Sequence, residues 1–197
     1  MLVIGNGESR KDIDISKISD IKVGCNAIHR DYDVQHLVCV DKRMVNEALR
    51  NRANDYSLIY TRKDTFKYLN EKRVRQVPNL PYVGMDRPDD PQHWGSGPYA
   101  VLIAALKTRS RTIHMLGFDL YSKDKRVNNI YKDTPNYIAS EKSAVDPRYW
   151  IYQIGKVMEY YPLINFIVYK EDNWQLPRAW KYPHVTVDNI SNIYYNI

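Results

Sequence analysis

Six short apolar bursts, spaced along the chain and separated by polar or amphipathic stretches, most constrain what it can fold into. They are Leu2–Ile4, Ile21–Val23, Leu37–Val40, Leu58–Tyr60, Ile113–Leu116 and Ile164–Tyr169. Each is too short for a helix and lies between polar or turn-forming residues, as buried strands do. Helical spacing recurs between them, around Val45 to Leu49, over Asp64 to Leu69, over Pro98 to Leu106 and over Tyr149 to Tyr160. In the third of these, Tyr99, Leu102, Ile103 and Leu106 share a face, and Pro98 suits a first helical turn. In the fourth, Trp150, Ile154, Val157, Met158 and Tyr161 form a stripe whose ordinary meaning is core. Strands alternating with helices predict an α/β fold. The expected architecture is a single Rossmann-like domain over residues 1–176, a mostly parallel twisted sheet with helices on both faces. A C-terminal tail, 177–197, is expected to pack on it or extend from it.

Composition narrows the function classes. A chain of 197 residues that is 44% hydrophobic can bury a real core. No apolar run approaches the ~20 residues that cross a bilayer, and the N-terminus does not read as a secretory leader. Cys25 and Cys39 fall in strand-like segments and read as buried free thiols of a reducing, cytoplasmic compartment. Two cysteines and five histidines are too scattered for a metal cluster. Asp12-Ile13-Asp14 and Asp31-Tyr32-Asp33 resemble an Asp-x-Asp metal motif, but neither follows a mid-sheet strand, so no metal is expected. A Walker-type phosphate loop and a Gly-x-Ser-x-Gly elbow are both missing. The net charge of +6 is uneven, with ten basic residues between Lys42 and Arg75. Such a run forms a solvated helical face or attracts phosphates, an anionic sugar or an acidic membrane surface. Without any nucleic-acid module pattern, nucleic acid is not an expected partner.

Ligands of an open parallel sheet bind beyond the carboxyl ends of its strands, and polar residues stand at these ends. Gly5-Asn6-Gly7 follows the first burst and can turn tightly, with Ser9 placed to cap a helix start facing an anion. Cys25-Asn26 follows the second burst, Asp41 the third, and Gly117-Phe118-Asp119-Leu120-Tyr121 the fifth. Gly95-Ser96-Gly97 opens the best helix, where free N–H groups favour a phosphate. Each alone could be a cap or a turn; together they point to a nucleotide. Two long segments, the proline-rich Pro78 to Trp94 and the polar Ser122 to Ser143, flank this region and are expected to be functional or mobile.

These motifs, in this order over roughly residues 1 to 170, resemble the bacterial sialyltransferases of glycosyltransferase family 42. Gly5-Asn6-Gly7-Glu8-Ser9 is similar to the family's Gly-Asn-Gly-Pro-Ser, and Cys25-Asn26 to its Cys-Asn. Ser96-Gly97-Pro98-Tyr99 is similar to its Ser-Gly-x-Tyr, Gly117 to Tyr121 to its Gly-Ile-Asp-Phe-Tyr, and Tyr137-Ile138 to a later Tyr-Ile step. The resemblance implies a GT-A-like, metal-independent transferase with no resident cofactor. Its donor would be a nucleotide sugar, a cytidine monophosphate sugar such as sialic acid, and its acceptor a glycan or other hydroxyl. Asn6, Gly7, Asn26, Ser96, Gly97 and Asp119 would line the nucleotide, with Asp41 standing where the family has asparagine. Tyr121 and, at altered spacing, Tyr131 would stabilise the departing phosphate. The family's base is a histidine after the Tyr-Ile step, whereas this chain has Ser140. Serine cannot take up a proton near neutral pH. His93 is the first substitute, with His29, His184 and Glu141 behind it. Ser140 leaves open a nucleotide-binding module without catalysis. The tyrosine-rich tail leaves open a structural or assembly protein, with homo-oligomers built through it.

Overall fold

A computed structural model describes residues 1–122 and 124–197. Its centre is one sheet of eight strands: β1 (Leu2–Ile4), β2 (Lys22–Cys25), β3 (His36–Val38), β4 (Leu58–Thr61), β5 (Val74–Gln76), β6 (Thr112–Leu116), β7 (Asn165–Lys170) and β8 (Val185–Asn189). The order across the sheet is β5-β4-β3-β2-β1-β6-β7-β8, and every pairing is parallel. The helices are α1 (Lys42–Arg50), α2 (Lys63–Phe66), α3 (Ser96–Lys107), α4 (Arg148–Tyr160) and α5 (Ile193–Asn196). This is a doubly wound α/β fold. The chain builds one half outward from β1 to β5, returns through α3, and builds the other half from β6 to β8. The switch in direction lies between β1 and β6.

Alternation along each strand divides the core between the two faces. Val3, Val23, Val38, Met115 and Val168 pack against α3 and α4, while Leu2, Ile4, Leu37, Ile59 and Leu116 pack against α1, the short turns and α5. Each such side chain, fully buried, contributes about 1.5–3 kcal/mol relative to exposure. The expected one-sided face on α3 is wider in the structure. Pro98 to Ala105 are all buried, because β1–β3 cover one side and α4 the other, and Leu106 is exposed. A helix apolar all round belongs in such a sandwiched position. On α4, Ile154, Val157 and Met158 are buried as the stripe predicts.

Two strands lie outside the six bursts. β5 and β8 are the two edges of the sheet, where one partner strand and more solvent permit sequences as polar as Val74-Arg75-Gln76. Residues 177–197 supply β8 and α5, and Ile193 of α5 is fully buried. Cys25 and Cys39 are buried and unpaired. Among the described residues, no helix is long and apolar enough to cross a membrane.

Candidate functional site

The carboxyl ends of β1, β2, β3, β4 and β6, together with the start of α3, surround a cavity of about 390 Å³ at the β1/β6 switch. The first two loops around it are laced together. Gly5 N–H donates to Leu116 O at 2.8 Å, and Gly7 N–H to Gly117 O at 2.9 Å. A Cβ on Gly7 would run into the Asp119 carboxyl group, and Gly117 holds a left-handed φ of +73°. The glycine at position 7 is therefore demanded by the neighbouring loop. Gly5, Asn6 and Gly7 all line the cavity.

Ser9 does not cap a helix. Glu8–Arg10 is a single 3-10 turn, and Ser9 gives its N–H to Asp119 Oδ2 at 2.9 Å and its hydroxyl to Oδ1. Lys170, almost fully buried at the end of β7, donates to the same Oδ1. Burial opposes the Asp119 charge, but Lys170 and the Ser9 bonds outweigh it and hold the carboxyl below the usual carboxylate range. Burial in turn pulls the Lys170 ammonium below its ordinary value, with Asp119 opposing. Asp119 lines the cavity with both oxygens already engaged.

Asn26 holds a left-handed φ of 50°, which asparagine tolerates better than most residues. Its Oδ1 accepts from Ser96 Oγ at 2.8 Å, and that oxygen accepts from Val40 N–H at 3.2 Å. Asn6 gives its amide to the Tyr137 hydroxyl at 3.0 Å, while its Oδ1 is buried without a partner among the described residues. The N-cap of α3, Gly95, supplies no side-chain bond, so the first N–H groups of the helix face the cavity uncapped. Beside them, Arg62 Nη2 donates to Trp94 O at 3.0 Å, and its Nε is buried without a partner among the described residues. Arg62 and Lys170 were not singled out by the sequence reading. A cation within a basic run, or at the end of a strand, carries no signal of its own.

The structure brings Asn6, Gly7, Asn26, Asp41, Ser96, Gly97, Asp119, Tyr121 and His93 to this one cavity. Tyr131 is not among them, which corrects its placement on a departing phosphate. Its ring is buried under the first turn, where the hydroxyl donates to Asp31 Oδ2 at 2.7 Å and accepts from Arg10 Nη2 at 3.1 Å. Arg10 is itself buried and tied to Gly5 O. Ser140 also lies off the lining, its N–H held by Asp133.

His93 reaches the cavity, but its Nε2 accepts from Arg87 Nε at 3.4 Å, so the lone pair a base would use is engaged. His29 and His184 are bound to the backbone oxygens of Asn26 and Met158, and Glu141 is exposed away from the lining. Asp41 is exposed at the cavity and accepts no side-chain hydrogen bond from a described residue. Burial pushes the Cys25 thiol up to about 12, so this lining residue is no nucleophile. The polar segment after Tyr121 folds back as a wall, through Ile130 N–H to Asn6 O at 2.9 Å and Glu8 N–H to Asn128 Oδ1 at 2.8 Å.

Fold and cavity define a class: a doubly wound α/β protein with a polar site at its topological switch point. No protein-family model matches the chain, and no curated protein does. Among solved structures, a mutant of the alpha-2,3/8-sialyltransferase CstII is similar at a TM-score of 0.45 and 18% identity, over 85% of this chain and 79% of that one. A likeness of that degree carries no argument about the site.

Proposed function

We propose that the chain binds a nucleotide sugar at the β1/β6 switch and transfers its sugar to a hydroxyl acceptor, the donor being linked to cytidine monophosphate. One observation supports this above the others: the uncapped start of α3 and the side chain of Arg62 line the same cavity. Dipole and guanidinium together suit a phosphate. Asn26 offers its amide group to the nucleoside, Asn6 holds the floor of the site through Tyr137 and Cys25, and Gly97 lets the phosphate approach the helix backbone. In the transfer, the acceptor oxygen bonds to the anomeric carbon as the bond from that carbon to the phosphate oxygen breaks. The electron pair leaves with the nucleotide. Tyr121, exposed at the mouth of the cavity, donates to the departing oxygen. The acceptor's proton passes to solvent water at the cavity mouth, since the lone pair of His93 is engaged.

Calorimetric titration with cytidine monophosphate tests the binding step: heat is expected, and its absence with folded protein overturns the reading. Chromatographic assay of donor hydrolysis tests the chemistry. Turnover in the native chain should fall at least about tenfold in Tyr121→Phe while nucleotide binding persists. A second reading, binding without transfer, is favoured by Ser140 standing off the cavity at the family's histidine position. It expects tight nucleotide binding and no turnover in any variant.

A further inference from the structure

A larger cleft, about 1040 Å³, adjoins the nucleotide cavity on the β7 side and shares Asp119, Tyr121, Ser122 and Asn128 with it. Its floor is the half-buried indole of Trp174. That ring is fixed from several directions. Its Nε1–H donates to Asp119 O at 3.0 Å, Lys170 Nζ lies 5.3 Å from its centre, and the rings of Tyr121 and Trp180 flank it at 6.3 and 6.4 Å. A rigid amphipathic ring binds at little entropic cost.

The walls carry both donors and acceptors. Glu8 is paired with Lys132, and Asp172 accepts from Asn189, while Arg178 and Lys181 lie on the same rim. Asp124 adds a further carboxylate, held by Ser122. These carboxylates disfavour a second nucleotide phosphate here, although a nucleobase could stack on the indole. A ligand that covers an aromatic face with C–H groups and offers many hydroxyls to mixed polar walls is an uncharged carbohydrate.

We propose that this cleft is the acceptor subsite, and that it takes a neutral glycan whose terminal sugar stacks on Trp174. The inference rests on the transfer reading above and names its acceptor. The shared residues place a hydroxyl of that sugar next to the donor cavity, across the ridge formed by Asp119 and Tyr121.

Saturation-transfer NMR with lactose, maltose and cellobiose, in the presence of cytidine monophosphate, tests it on the full chain. At least one disaccharide should bind the native protein. Trp174→Ala should weaken that binding by about tenfold or more, and Trp174→Phe, which keeps a ring, by much less. The calorimetric affinity for cytidine monophosphate should stay unchanged in both variants, which also shows that they are folded. No disaccharide binding on the order of tens of millimolar, with the nucleotide bound, overturns the inference and leaves the nucleotide reading standing. Sugar binding that ignores Trp174→Ala overturns it as well. Sugar binding that depends on Trp174, in a protein that binds no nucleotide, supports the carbohydrate cleft and overturns the nucleotide reading instead.

Discussion

Asp119 and Lys170 form an ion pair that is almost wholly out of water, at the ridge between cavity and cleft. Because the Asp119 carboxyl is held below its ordinary value of 3.8, the pair's contribution is fully present above that pH and is lost as the pH falls through the lowered value. Thermal melts should therefore show a loss of stability in the acid range that is smaller in Asp119→Asn. At neutral pH that variant strands Lys170 and should cost about 3 kcal/mol, and Asp119→Asn with Lys170→Met should recover most of it. Urea titration of the three proteins measures both effects. Gly97 makes a different prediction. A Cβ there would meet Phe118 at 3.5 Å, an ordinary contact. Gly97→Ala should keep its stability within about 1 kcal/mol and lose at least about tenfold in affinity for cytidine monophosphate, read by calorimetry. The location of most site residues was legible in the sequence because parallel strands deliver whatever follows them to one edge. Tyr131 lies off the cavity: its assignment comes from the family resemblance at altered spacing, which says nothing of Arg10 and Asp31, the two side chains that hold its hydroxyl.

At the scale of elements, the six central and near-central strands announced themselves by apolar bursts, and the two edges did not. Val74 is the one buried residue of β5, and β8 alternates only at its start, with Val185 buried and Thr186 and Val187 exposed. A strand with one neighbour needs little apolar surface, so edge strands are the hardest to read from composition. The tail still matters to the core. Ile193 lies in the cluster with Tyr169 and Ile4, and Ile193→Ala should destabilise the chain by about 2–5 kcal/mol in urea titration. The start predicted after Ser9 is a single 3-10 turn, Glu8–Arg10, whose Ser9 N–H is bonded to Asp119.

At the scale of the molecule, the charge of +6 and the run of cations from Lys42 to Arg75 put a positive field around the β3–β5 half of the sheet. Arg62 is the member of that run that reaches the cavity; Lys42, Arg43, Lys63 and Lys67 are solvated. An anionic nucleotide should thus associate faster at low salt. Stopped-flow measurements should show the on-rate falling by about tenfold over a range of ionic strength that shortens the Debye length from about 30 Å to 8 Å. Salt-independent association would mean that the run has no bearing on the site.

The lacing of the β1 and β6 loops has a consequence for how this protein could be altered. Positions 7 and 119 compete for the same volume, and 5 and 117 are joined through backbone that leaves no slack. Variation at one is tied to variation at the other, so random changes at either alone should be purged while compensated pairs survive. Anyone transplanting this glycine turn into a different scaffold would have to carry both loops as a single module.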